Sequence, residues 1–308
     1  MRRSAWVLIL LMGMLLPLAD SLRAQTVAGA RLFEQHCATC HGNPQSAVAA
    51  PDVLSLWKLT PEAVYAALGR GPHAALTGPT DADKREVAAY LGGRKVDVDQ
   101  ITDAKLMPNK CAANSAISDL SSKPSWNGWG NGVTNARFQP TGAAALPADQ
   151  VPQLKLKWAF GFPGADEVYG QPTVAAGRVF LGVDTGAVYS IDAATGCVYW
   201  SFQAIAGVRS AISIGPVKGH GATKFGVYFG DARSNVYMLD ASTGKLLWQI
   251  KVEDQPASHI TGAPTLYEDR LYVPVASSEE RAAGYSTVYP CCQFRGSALP
   301  SEGRTTAL

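Results

Sequence analysis

The sequence predicts two domains of different class: a small all-α domain at the front and an incomplete all-β propeller behind it. Three observations carry this. A C-x-x-C-H motif lies among helical patterns, a unit with alternating apolar residues then recurs three times, and the third unit breaks off before its pattern is complete. The chain has 308 residues, nearly half of them apolar, which is enough for two cores. Its formal net charge is only +2, and no basic patch or basic-aromatic interleaving occurs, so nucleic acid is excluded as a partner.

Residues 1–24 read as a signal peptide. Arg2 and Arg3 precede an apolar run from Ala5 to Leu18, and small and polar residues follow around Ala24. The apolar run is shorter than the roughly 20 residues that span a bilayer, so the mature chain is expected to have no membrane anchor. Export to the periplasm or beyond lets thiols oxidise and haem be attached.

Residues 25–95 form the expected helical domain. In "EQHCATCHG", Cys37, Cys40 and His41 have the spacing for covalent c-type haem attachment: two thioethers one helical turn apart pin the porphyrin, and the next imidazole faces the iron. A redox C-x-x-C needs no following His, and a zinc site needs two more ligands nearby. In "LTPEAVYAAL", Thr60 is a predicted N-cap with Pro61 at the first helical position. "TDADKREVAAYLGG" starts on Thr80 or Asp81, buries Val87, Tyr90 and Leu91, and ends at Gly92.

These elements resemble the cytochrome c family, in which the helix bearing the first Cys crosses a C-terminal helix. Family members take a Met as second iron ligand from the loop before that helix. Here the loop reads "GRGPHAALTGP" and offers His73 instead. A bis-His haem would have a lower potential than one with a thioether. The alternatives are that His73 is a solvated loop residue, or that Met107 folds back to the iron.

Residues 96–125 read as a polar linker holding Cys111, Pro108 and Pro124. From residue 126 to 308 the repeats follow. "VFLGVDTGAVYSIDAATGCVYW" aligns without a gap on "VYFGDARSNVYMLDASTGKLLW", placing Gly182, Asp192, Gly196 and Trp200 on Gly230, Asp240, Gly244 and Trp248. Pro172, Pro216 and Pro264 mark an earlier point in three successive units, and Trp158 in "KLKWAF" closes a preceding one. The unit length and alternation suit a four-stranded propeller blade. Asp-Ala-x-Thr-Gly predicts a tight turn with Gly at positive φ, and each closing Trp is expected to pack between blades.

The blade signature in "YSIDAATGCVYW" and the opening "WNGWGNGVTNARFQP" resemble the pyrroloquinoline quinone (PQQ) dehydrogenases, and the leading haem motif points to their quinohaemoprotein branch. The resemblance covers the mature chain up to Ser297. It implies an exported oxidoreductase that oxidises a secondary (polymeric) alcohol through PQQ, passes electrons to haem c and thence to a downstream acceptor, and uses calcium beside the quinone. It also implies that Cys291 and Cys292 form a disulfide platform against the quinone, with Arg295 pairing to a quinone oxygen or carboxylate. Gln171, Arg209 and, for calcium, Glu279 are the further candidates. Removing the haem pair and the adjacent pair leaves Cys111 and Cys197, an even remainder expected to bridge the linker to the first full blade.

The third unit begins as "GAPTLYEDRLYVPV" and, after "RGSAL", meets Pro300 where another Asp-Ala-x-Thr-Gly is expected. The blade is therefore expected to be incomplete and the chain truncated and inactive alone. The family's catalytic aspartate would fall in later blades, so no base is assigned. The contrasting reading is an exported cytochrome c fused to a noncatalytic propeller used for protein contacts.

Overall fold

A computed structural model of the chain describes residues 27–42, 50–75, 78–96, 103–132, 134–280, 283 and 291–302. The expected signal peptide lies outside them. Among the described residues, no helix is long and apolar enough to cross a membrane. The chain divides into two compact units, Met1–Val98 and Asp99–Leu308.

The first unit is all helical. Residues 27–36 are helical and pass through a turn at Cys37 into α1 (Ala38–His41). The short α2 (Val53–Leu56) is capped by the Asp52 carboxylate, which accepts from Ser55 N. Helix α3 (Pro61–Leu68) starts as the sequence predicts, with Thr60 Oγ1 accepting from Ala63 N at 3.1 Å and Pro61 in the first turn. A 3-10 turn, Gly71–Ala75, carries His73. Helix α4 (Asp81–Gly92) begins with a reciprocal capping box between Thr80 and Asp83, and its left-handed C-cap is Gly93, one residue beyond the expected stop.

Phe33, Leu56, Val64, Val87, Ala88 and Leu91 make the core of this unit. The leading helix crosses α4 at Gly29, where a Cβ would lie 2.3 Å from the Glu86 carbonyl oxygen. Only a residue without a side chain lets the two backbones approach so closely. A two-toothed ion pair, Arg94 to Glu62 at 2.8 and 2.7 Å, closes the other side.

The second unit is built of antiparallel sheets in strand order β1-β2-β3-β4, β5-β6-β7-β8 and β10-β11-β12, with β9 pairing to β11. The first comprises β1 (Thr173–Ala175), β2 (Arg178–Gly182), β3 (Ala187–Asp192) and β4 (Val198–Gln203). The second comprises β5 (Ser213–Pro216), β6 (Phe225–Gly230), β7 (Asn235–Asp240) and β8 (Leu246–Lys251). The third comprises β9 (Ser258–His259), β10 (Thr265–Tyr267), β11 (Arg270–Ser277) and β12 (Ser297–Glu302). Each is a meander of hairpins, and the first strands β1, β5 and β10 lie side by side in that order. This is the radial arrangement of propeller blades, left open.

The turns and tryptophans take the predicted roles. Asp192 Oδ1 accepts from Ala194 N and Thr195 N, Asp240 Oδ1 accepts from Ser242 N and Thr243 N, and Gly196 and Gly244 follow at φ +76° and +73°. Trp200 donates to Ala241 O at 3.0 Å in the next blade, and Trp158 donates to Ala193 O at 3.2 Å in the first. Hydroxyls join the first strands: Thr173 Oγ1 donates to Ile212 O, and Ser213 Oγ donates to Pro264 O. Asn127 completes the junction with its amide, donating to Ile214 O at 2.7 Å and accepting from Ile214 N at 2.9 Å.

Two expectations change. Residues 103–125, read as linker, pack onto the blades: Ala104 and Met107 are buried with Leu181, Val183 and Tyr189, and Ile117 enters the main core. The segment shows no period because each of its residues meets a different partner. Arg178, nearly buried, ties it down by donating to Asn114 Oδ1, Ser115 O and Ser242 O. Secondly, Pro300 does not break the ladder but lies in β12 opposite Tyr272, while the blade is incomplete as expected, with no strand beyond β12 among the described residues. Strand β12 is at the sheet edge, where a missing N–H is tolerated.

Candidate functional site

In the first unit, Cys37 and Cys40 are free, half-buried thiols one turn apart. Burial raises the Cys37 thiol pKa, and Cys40 beside it adds to the effect. His41 Nδ1 lies 2.7 Å from the Pro51 carbonyl oxygen. A carbonyl can only accept, so Nδ1 carries the proton and Nε2 keeps its lone pair for a metal. Sequence reading missed Pro51, because a backbone carbonyl leaves no mark in a side-chain motif.

The His73 ring stands 5.8 Å from the His41 ring, centroid to centroid, with 17° between the planes. The two imidazoles are thus near-parallel neighbours within the range of an aromatic pair. Two thiols, an imidazole with a fixed tautomer and a second imidazole beside it are a donor set that fits haem c. Met107 is buried in the core of the second unit.

In the second unit, Cys291 and Cys292 form a disulfide across a cis peptide bond, and both residues are exposed. Arg295 is also exposed and folds back on this segment, donating to Cys292 O at 3.3 Å and Phe294 O at 3.1 Å. An exposed pair of sulfurs with a guanidinium beside it fits a flat, anionic ring. Gln171 and Arg209 stand at neighbouring blade starts: a Cβ on Gly170 would lie 3.0 Å from Ser210 O. Arg209 covers the Tyr169 ring at 4.1 Å, and a hydrogen bond to Glu167 raises the Tyr169 pKa. Among the described residues, no hydrogen bond links Gln171 or Arg209 to Cys291, Cys292 or Arg295.

The calcium candidate, Glu279, is engaged with the main chain. Glu279 aims its carboxylate at two backbone N–H groups, of Gln293 at 3.0 Å and Phe294 at 2.7 Å. Among the described residues, no group of three or more His, Cys, Asp or Glu could hold a metal ion. A calcium ion takes six to eight oxygens. The last cysteine pair, Cys111 and Cys197, is joined, and Lys110 bridges to Val198 alongside it.

Residues 122–287 match a family profile described as PQQ_2, outer membrane protein assembly factor BamB. The chain belongs to the PQQ_2 family. Residues 24–91 match a second profile, cytochrome c oxidase, cbb3-type, subunit III. Among curated relatives of the family, a polyvinylalcohol dehydrogenase of Pseudomonas sp is 38% identical over 88% of this chain and 43% of its own length. Another from Sphingopyxis sp. (strain 113P3) is 33% identical over 92% of this chain and 44% of its own length. The chain thus spans less than half the length of these relatives. Among solved structures, the quinohemoprotein alcohol dehydrogenase from Comamonas testosteroni matches 61% of this chain and 27% of its own, at 20% identity and a TM-score of 0.46.

Proposed function

We propose that the chain is the front portion of an exported quinohaemoprotein dehydrogenase that oxidises a secondary, polymeric alcohol through PQQ and hands the electrons to haem c. The observation that carries this reading is the bonded Cys291–Cys292 pair on a PQQ_2 propeller whose chain also has a haem-binding donor set. The long stretch of likeness to two polyvinylalcohol dehydrogenases supports the polymeric substrate.

When bound, PQQ supplies two-electron acceptance from the alcohol and haem supplies one-electron storage. Cys37 and Cys40 would hold the porphyrin through their sulfurs. His41 Nε2 would bind iron while Nδ1 keeps its proton and donates a hydrogen bond to Pro51 O, which fixes the ring's orientation. His73 would be the second imidazole to hold the iron. Cys291 and Cys292 would give the quinone a flat floor, and Arg295, Gln171 and Arg209 are the residues that would bind its oxygens and carboxylates. No residue of this chain is assigned as catalytic base. The protein works in the periplasm or outside the cell, delivering electrons to a downstream acceptor.

The second reading, a cytochrome fused to a noncatalytic propeller, draws on the assembly-factor description of the matching profile. It leaves the paired cysteines without a task. The deciding experiment adds PQQ and a secondary alcohol to haem-loaded protein completed with the later blades of a relative, and follows haem absorbance. Alcohol-dependent haem reduction supports the dehydrogenase. Absence of both reduction and bound quinone favours the noncatalytic reading.

A further inference from the structure

Residues 291–296 belong to no strand or helix, yet they carry the disulfide and Arg295. The segment is held by Glu279, which is only 2% exposed and lies two residues beyond the end of β11. Its Oε1 accepts from Gln293 N at 3.0 Å and its Oε2 from Phe294 N at 2.7 Å, the first two peptide N–H groups after the sulfur pair. Glu279 N in turn donates to Ser277 Oγ at 3.4 Å, so the carboxylate is rooted in the end of a central strand. Phe294, half-buried, packs against the cluster of Val273, Val275 and Leu271.

We propose that Glu279 is a positioning residue that locks the Cys291–Cys292 segment, and with it Arg295, in place. A carboxylate accepting two backbone N–H bonds in a buried site is the strong, charge-assisted form of this contact. It does for the irregular segment what a strand ladder does for its neighbours. The sequence hid this role because an acid in "SSEER" reads equally as a solvated charge or a metal ligand.

The test reads the sulfurs directly. The full chain and its Glu279→Gln and Glu279→Asp variants are titrated with dithiothreitol, trapped with a thiol reagent and mapped by mass. Gln keeps one acceptor but sets an NH2 group against a peptide N–H, so local opening should become more frequent. Reduction of Cys291–Cys292 should be about tenfold faster in Glu279→Gln, with Glu279→Asp in between, since about 1.4 kcal/mol of lost anchoring corresponds to that factor. Cys111–Cys197 is the internal control and should stay within about twofold of the parent.

Unchanged reduction of Cys291–Cys292 overturns the proposal, and so does an equal acceleration at both bridges, which would mean general destabilisation. Calcium that protects the pair in the parent but not in Glu279→Gln would also overturn it in favour of a metal role. The inference extends the quinone reading, but its readout needs no quinone. Failure of the blade-completed protein to bind PQQ sinks that reading and leaves this one standing.

Discussion

Trp200 lies flat against Gly244 of the following blade, so close that a Cβ on that glycine would stand 2.6 Å from the indole. The indole N–H of Trp200 meanwhile reaches Ala241 O. The turn is thus shaped twice, once by its own left-handed backbone and once by the ring above it. Trp200→Ala should cost about 3–5 kcal/mol, as expected for a buried aromatic, measured by urea unfolding of the chain. Gly244→Ala should also destabilise, because the new methyl meets both a positive φ and the indole. Trp158, which packs the same way on Gly196 but is only half-buried, should cost less than Trp200 when truncated.

For the haem donors, Cys37→Ala with Cys40→Ala should abolish covalent haem, read by peroxidase staining after denaturing electrophoresis. His73→Ala should convert a low-spin spectrum to high-spin while leaving haem attached. Met107→Ala should leave the spectrum unchanged. It should instead lower stability by about 2–5 kcal/mol, because it empties a core position of the second unit. A spectrum altered by Met107→Ala and not by His73→Ala would reverse the ligand assignment.

The Cys111–Cys197 bridge closes a long loop, with a sequence separation of 86 residues. On chain-entropy grounds, Cys197→Ser should lose about 4 kcal/mol, and the first blade should open ahead of the second in hydrogen exchange. The comparison to make is between oxidised parent and variant in the same buffer.

Acid should weaken the blades through Asp192 and Asp240. Burial alone would raise both carboxyl pKa values, but hydrogen bonds from Tyr199, Thr195 and Ala194 to Asp192, and from Thr223, Thr243 and Ser242 to Asp240, outweigh it and hold them below the ordinary range. The stability they contribute is fully present above the unfolded value of about 3.9 and is lost as pH falls through the lowered folded values. Asp192→Asn combined with Asp240→Asn should therefore be less stable than the parent at neutral pH and show a flatter decline below about pH 4. Equal steepness in the two acid unfolding curves would exclude these turns as the acid-sensitive elements.

What the sequence made legible was whatever depends on local chemistry. The caps at Thr60 and Thr80, the Asp192 and Asp240 turns, and the indole contacts all lie within a few residues or one repeat of their signals. Long-range partners were invisible. Nothing near Arg178 announces Asn114 and Ser115, and nothing near Glu279 announces Gln293 and Phe294. The packing of 103–125 was missed because a segment that meets a different neighbour at every residue has no period to detect. Pro300 misled because a proline bars a central strand but not an edge.

The hydroxyl rungs from Thr173 to Ile212 and from Ser213 to Pro264 join successive blades by the same small bond, made with the main chain. A joint that reads only backbone is indifferent to which side chains the next blade carries. Duplication or loss of a whole blade therefore leaves a usable seam, whereas an insertion within one would have to rebuild it.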